Sequence, residues 1–282
     1  MESSTHKFDN RILKNDLYQL TRFIRRLPNA YDVIKLNMTE IGTENEDMLV
    51  KLFEELYDNC LKKITITNFL DICAGPGMYS SYILSKNSKS TGTGLSLCPT
   101  DGGCPYTIEH DNYTKIYADI YTVSNNKYNH QFDFCMASCI PYTTSAQNKD
   151  EYKIIYKSLL LCLNSLKTNG TLLINFSFKN LLFCINFIYM IYSVFDSIKL
   201  FKSTKLLILQ RTFYIVGYGY KVNQDHINKI ESWFNNFDDF YEKYINKLLE
   251  EIDKRTLDHI MRKLEHDVFA VQLKTYMEIS IT

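Results

Sequence analysis

Between residues 64 and 220, short apolar runs alternate with segments of helical period, and few folds accommodate that order. NFLDICA (68–74) is an apolar run ending in a glycine turn, as a strand buried on both faces should be. TGTGLSL (91–97), KIYA (115–118), FDFCMAS (132–138), TLLINFSF (171–178), SIKLFK (197–202) and RTFYIVGYGY (211–220) read as further strands. MYSSYILSK after the glycine turn has helical period, and so does DEYKIIYKSLLLCLNSLK (150–167), where Asn169-Gly170 is expected to close the helix as a C-cap. Strands interleaved with helices predict an α/β fold with a mainly parallel sheet covered on both faces. The last two strands lack a helix between them, which predicts one antiparallel edge strand.

The apolar run LLFCINFIYMIYSVF (181–195) is shorter than the roughly twenty residues a bilayer requires, and it contains Asn186. It is expected to pack on the sheet, with no membrane contact. Residues 222–282 lack Gly and Pro and keep helical period, predicting a helical tail that packs on the domain or meets a protein partner. The expected organisation is an N-terminal helical arm (1–30), an α/β domain (31–221) and the tail.

The 32 basic and 32 acidic residues cancel, which argues against bulk electrostatic attachment to nucleic acid. Charge is nevertheless uneven. Residues 1–30 carry a local net of +3, either a solvated helix face or an RNA-contacting arm, and residues 222–282 carry −4. Eight cysteines form no CxxC pair, and neither Cys98 with Cys104 nor Cys135 with Cys139 has a second ligand pair at zinc spacing. They are read as buried thiols in a reducing, cytoplasmic setting, with no metal site and no secretory leader. A composition rich in Asn, Lys, Ile and Tyr fits an AT-rich genome.

FLDICAGPGMYSSYIL (69–84) carries the chemistry: a strand, Asp71, the turn Gly75-Pro76-Gly77, then a helix. Glycines allow close backbone approach, and the helix start offers unpaired N–H groups. Ser80 stands where a dinucleotide fingerprint needs its third glycine, and no GK[ST] follows, so neither NAD nor a P-loop ligand fits. An acid four residues before the first glycine suits a cationic ligand end, such as an amino-acid ammonium.

That stretch resembles the S-adenosylmethionine loop of the FtsJ-like ribose 2′-O-methyltransferases, particularly the mRNA cap branch found in viruses, with Met78-Tyr79 where the family usually has Gly-Phe. Lys35-Leu36 with Glu40-Ile41, Asp119-Ile120 after Tyr117, and the order of elements from 153 to 220 extend the resemblance over roughly residues 30–220. It implies a Rossmann-like S-adenosylmethionine-dependent methyltransferase fold with a seven-stranded sheet. It also implies a cofactor loop of Asp71, Cys73, Ala74, Gly75, Pro76 and Gly77, with Asp119 near the adenosine.

The family's Lys-Asp-Lys-Glu tetrad deprotonates a ribose hydroxyl. Carried over position by position it becomes Lys35, Ser138, Asn175 and Thr212, so three of the four groups are replaced by neutral ones. These three are expected to hydrogen-bond with one another in place of the charged cluster. Lys179 and Lys205 are the nearby amines that a new mechanism would recruit. The expected function is a catalytically degenerate, RNA-binding or accessory protein of RNA capping or processing that keeps S-adenosylmethionine. The alternatives are an active RNA ribose methyltransferase with a divergent site and a scaffold whose tail binds a partner. Tyr18, Tyr106, Tyr113 and Tyr142 are candidate base-stacking residues.

Overall fold

Seven apolar runs hydrogen-bond into one sheet of order β3-β2-β1-β4-β5-β7-β6 in a computed structural model. The structure describes residues 44–139, 148–177, 180–204, 212–272 and 274. The chain divides into units Met1–Ile41 and Gly42–Thr282, and every described residue belongs to the second. Its elements are α1 (Glu44–Leu56), β1 (Asn68–Ile72), α2 (Met78–Lys86), β2 (Thr91–Ser96), β3 (Tyr113–Tyr117), β4 (Phe132–Ala137), α3 (Asn148–Ser165), β5 (Leu166–Ser177), α4 (Leu181–Tyr192), β6 (Phe195–Phe201), β7 (Thr212–Tyr220), α5 (Gln224–Asn235), α6 (Phe237–Tyr244) and α7 (Lys254–Lys263).

Strands β1 to β5 pair in parallel, and β7 runs antiparallel to both neighbours, lodged between β5 and the terminal strand β6. The antiparallel strand therefore lies at the expected end of the sheet, one place in from its margin. Strand order reverses between β1 and β4. In open α/β sheets the carboxyl ends of strands flanking such a reversal form the ligand crevice.

Each face carries its own apolar layer. On one, Leu52, Phe53 and Leu56 of α1 and Tyr82 and Ile83 of α2 join Phe69, Phe134, Leu173 and Val216 of the sheet in one cluster. On the other, Tyr152 and Tyr156 of α3 and Phe183 and Phe187 of α4 stack with Phe176, Phe237 and Phe240. Full burial of such a side chain contributes roughly 1.5–3 kcal/mol, so these layers dominate the cohesion of the fold.

Asn169-Gly170 does not cap a helix. Helix α3 ends at Ser165, and Leu166 already pairs with Phe132. Asn169, with φ +64°, and Gly170 instead form an irregularity of β5 before pairing resumes at Thr171–Phe134. An Asn-Gly pair supplies left-handed backbone equally well to a helix end or a bulge. Here strand pairing decides, because a side chain at Gly170 would meet the Lys167 carbonyl at 2.8 Å.

The apolar run forms α4, and no helix among the described residues is long and apolar enough to cross a membrane. Asn180 caps it, accepting from the Phe183 amide at 2.9 Å. Asn186 fastens the C-terminal helices: its Nδ2 donates to the Tyr244 and Lys247 carbonyls (3.3 and 2.9 Å), and its Oδ1 accepts from the Leu249 amide (2.9 Å). The tail thus packs on the α/β domain. Replacing Asn186 with Ala leaves a buried amide and carbonyls unpaired, and is expected to cost about 3 kcal/mol in urea unfolding. An unchanged midpoint would remove this role for Asn186.

Candidate functional site

The loop after β1 is shaped largely by its own chain. Gly77 has φ +103°, which a side chain would strain, and a Cβ there would meet Ile108 at 2.5 Å. A Cβ at Gly75 would meet the Cys104 carbonyl oxygen at 2.5 Å and Ser96 Oγ at 2.8 Å. The Thr107 amide donates to the Pro76 carbonyl at 2.9 Å, so the segment through residues 104–108 lies across the loop. Gly75 donates through its amide to Ser96 Oγ at 3.3 Å. Ala74 is buried, and its amide donates to the Leu95 carbonyl.

Asp71 lies beneath this loop, 3% exposed, and accepts from Ser80 Oγ at 2.6 Å. The serine that breaks the dinucleotide fingerprint is thus the partner of this acid. Burial pushes the Asp71 carboxyl up to about 7, against the lowering effect of the Ser80 hydrogen bond. Native Asp71 therefore holds a proton between about pH 4 and pH 7 that the unfolded chain releases. Its contribution to stability is present at low pH and lost as pH rises through 7. Asp71→Asn is expected to stabilise the protein by on the order of 3 kcal/mol at pH 8 and to change little at pH 4. Thermal melts at both pH values check this, and equal effects would show that the carboxyl carries no such burden.

A cavity of about 220 Å³ opens at the carboxyl ends of β1, β2 and β3. Its walls are Ile72 and Cys73 after β1, Leu95 to Leu97 at β2, Ala118 to Tyr121 after β3, and Ile154 of α3. Asp119 is exposed at the rim, and its Oδ1 accepts from the Tyr121 amide at 2.9 Å, capping the short turn Ile120–Thr122. Of the residues expected to hold a ligand, Cys73 and Asp119 line the cavity, whereas Asp71 is not among its walls. The volume lies below the roughly 300–1,000 Å³ common for complete ligand pockets. Apolar walls with one rim carboxylate fit a nucleoside. Residues 104–108 lie against the loop at Gly75 and Gly77, outside the cavity walls.

Strand pairing brings the three replaced positions to the same edge of the sheet. Ser138 follows Ala137, which pairs with Ile174; Asn175 pairs with Tyr214, and Thr212 with Ser177. Contrary to the expectation, no hydrogen bond joins Ser138, Asn175 and Thr212 to one another. The Ser138 amide donates to the Ile72 carbonyl at 3.3 Å, and the buried Asn175 Oδ1 lacks a hydrogen-bond partner. The Tyr79 and Tyr214 hydroxyls are 2.7 Å apart, and Tyr79 stacks on Phe53 at 4.3 Å. Aromatic packing beside Asn175 thus stands where mutual hydrogen bonds among the neutral replacements were expected. Lys35, Lys179 and Lys205 lie outside the described residues.

Two groups at this edge were given no chemical role by the sequence reading, which used Lys202 only as a spacing marker for Thr212. Lys202, just past β6 and 4% exposed, donates to the Thr212 carbonyl at 2.7 Å, and burial pulls its amine down to about 7. Glu55 of α1 accepts from Ser203 Oγ (2.5 Å) and from the Thr204 amide and hydroxyl (3.0 and 2.9 Å). A charged residue interrupting the end of an apolar strand was the only available signal for Lys202. Asp133 sits at the opposite edge, where it accepts from the Thr67 and Asn68 amides and fastens the start of β1.

The cysteines require a correction, because Cys73 and Cys139 form a disulfide. They follow the adjacent strands β1 and β4 with Cα atoms 5.2 Å apart, within bridging range, although 66 residues separate them in sequence. Cys60, Cys98, Cys104, Cys135, Cys162 and Cys184 form no disulfide. The tyrosine reading also changes. Tyr113 is buried against Phe69 and Tyr106 packs on Tyr113, whereas Tyr117 and Tyr121 are exposed and Tyr121 lines the cavity. Tyr18 and Tyr142 fall outside the described residues.

Residues 49–220 match the profile of the FtsJ-like methyltransferase family. No protein of curated function matches the chain in sequence. Among solved structures, a ribosomal RNA methyltransferase, putative, from Plasmodium falciparum is 15% identical with a TM-score of 0.47, over 61% of this chain and 96% of that one. Human methyltransferase-like protein 13, in complex with SAH, is 13% identical with a TM-score of 0.43, over 78% and 99%. Fibrillarin in a fibrillarin/Nop5p complex is 14% identical with a TM-score of 0.42, over 59% and 81%.

Proposed function

This chain belongs to the FtsJ-like methyltransferase family, and on that premise we propose that it binds the nucleoside end of S-adenosylmethionine but has lost the family's ribose chemistry. It acts as an RNA-associated accessory protein, with capped RNA the first acceptor class to test. The observation that carries this reading is the contrast between two neighbouring places on one sheet edge. The cavity beside Cys73, Ser96 and Asp119 is formed, while Ser138, Asn175 and Thr212 supply no group able to take a proton near neutral pH.

Ile72, Leu95 and Ile120 would flank the base, and Asp119 offers the rim acceptor. When bound, the cofactor supplies an electrophilic methyl group. This chain's residues position the nucleoside and, at the degenerate edge, leave the acceptor hydroxyl protonated. The RNA contact rests on the family resemblance and on the positive N-terminal segment.

Calorimetric titration with S-adenosylhomocysteine tests the cofactor half. Saturable binding weakened by Asp119→Ala is expected, and no heat at millimolar ligand would overturn it. One observation favours a second reading, an active enzyme with a relocated base. Lys202 is a desolvated amine beside Thr212, with Glu55 holding the next two residues. Methyl transfer abolished by Lys202→Met would select that reading.

A further inference from the structure

Helix α5 begins beyond residue 220, where the family match ends, yet it reaches the wall of the cavity. That wall, residues 118–121, is followed by a turn and loop that have little stability of their own, since isolated 3₁₀ turns hold few hydrogen bonds. Three side chains, Phe234, Glu231 and Lys157, steady it from outside. The Phe234 ring stacks on Tyr121 with centroids 6.3 Å apart and planes within 12°. Asn125 Nδ2 donates to Glu231 Oε1 at 2.6 Å. Lys157, one turn beyond the wall residue Ile154 on α3, donates to the Val123 carbonyl at 2.9 Å and to Asn125 Oδ1 at 2.5 Å, with its ammonium 5.6 Å above Phe234.

A buried ammonium is tolerated only where acceptors surround it. The chain Lys157–Asn125–Glu231 therefore joins α3, the loop after the wall, and α5 into one network. Removing Glu231 leaves the Asn125 amide without this acceptor and loosens the link from the loop to α5. Phe234 and Glu231 touch no cavity atom themselves, so they act through Tyr121 and Asn125.

We propose that Phe234 and Glu231 are positioning residues for the nucleoside subsite, holding residues 119–125 in the shape that receives adenosine. This rests on the cofactor reading given above. The appended helix thereby becomes part of the ligand site, which a chain ending at β7 would lack.

The test is calorimetry of the full chain with S-adenosylhomocysteine and with adenosine alone. Phe234→Ala and Glu231→Gln should each weaken both ligands by the same factor, roughly tenfold, because the lost contact bears on the part they share. Phe234→Tyr should restore affinity, since its ring stacks equally well. Asn228→Ala, on the same helix with its side chain accepting from Gln224, should leave affinity unchanged. Glu231→Gln, which keeps the helix packing, serves if Phe234→Ala folds poorly. Wild-type affinity retained in both variants would overturn the inference while leaving the cofactor reading intact. Wild-type protein that binds neither ligand would overturn the cofactor reading, and this inference falls with it.

Discussion

Cys139→Ser is expected to lower the free energy of unfolding by about 4 kcal/mol, the stabilisation that closing a loop of this length provides. The bond joins residues 66 apart in sequence, so the reduced unfolded chain gains much conformational freedom. Cys73→Ser should cost a similar amount, and the double variant little more, because both remove one constraint. Cys73 also has φ +62°, a left-handed conformation costing a non-glycine residue roughly 1–2 kcal/mol. Cys73→Gly should therefore be about 1 kcal/mol less damaging than Cys73→Ser, although both lose the bond. Urea unfolding with and without a thiol reductant measures all of this. Identical wild-type midpoints in the two conditions would show that the bond does not form in solution.

The same bond bears on the site. Cys73 lines the cavity and Cys139 follows Ser138, so the disulfide fixes the spacing between the cavity wall and the sheet edge at Ser138. Affinity for S-adenosylhomocysteine should fall together with stability in the serine variants.

How much of this was legible in the sequence follows from which interactions are local. The strands β1, β2, β4 and β7 were readable to within a residue or two, because runs buried on both faces are apolar and end in glycine or polar turns. Asn169-Gly170 was misread because its conformational preference is local while the β4–β5 pairing that uses it is not. The disulfide could not be read from spacing at all, since only the adjacency of β1 and β4 brings Cys73 to Cys139. In the candidate site, Asp119 and Cys73 were visible through the family resemblance. The turning of Asp71 toward Ser80 was not, because nothing in FLDICAGPG tells which way a buried carboxylate points. Asn186 was visible as an anomaly in an apolar helix, but its partners at 244–249 required the tail to be docked.

Methyl transfer from S-adenosylmethionine to RNA ribose is expected to run at least 10²–10⁴-fold below that of a family member carrying the full Lys-Asp-Lys-Glu set, the factor that general-base assistance supplies. At the edge where the family resemblance places the proton-removing groups, the chain holds an alcohol at Ser138, an amide at Asn175 and an alcohol at Thr212. None accepts a proton from a ribose hydroxyl near neutral pH. The Tyr79–Tyr214 pair contributes no base either, since burial pushes both phenols above their ordinary value. Lys202 is the one nearby amine among the described residues whose neutral form is accessible, at about 7, but its donation to the Thr212 carbonyl and its burial hold it within the sheet edge. If it nonetheless served as base, the residual rate would rise with pH to a plateau above about 7, because only the neutral amine accepts a proton, and Lys202→Met would abolish it. Label incorporation from the methyl donor into capped RNA, measured from pH 6 to 9, separates these outcomes. A wild-type rate within tenfold of the complete enzyme would mean that this edge still performs the chemistry its side chains lack.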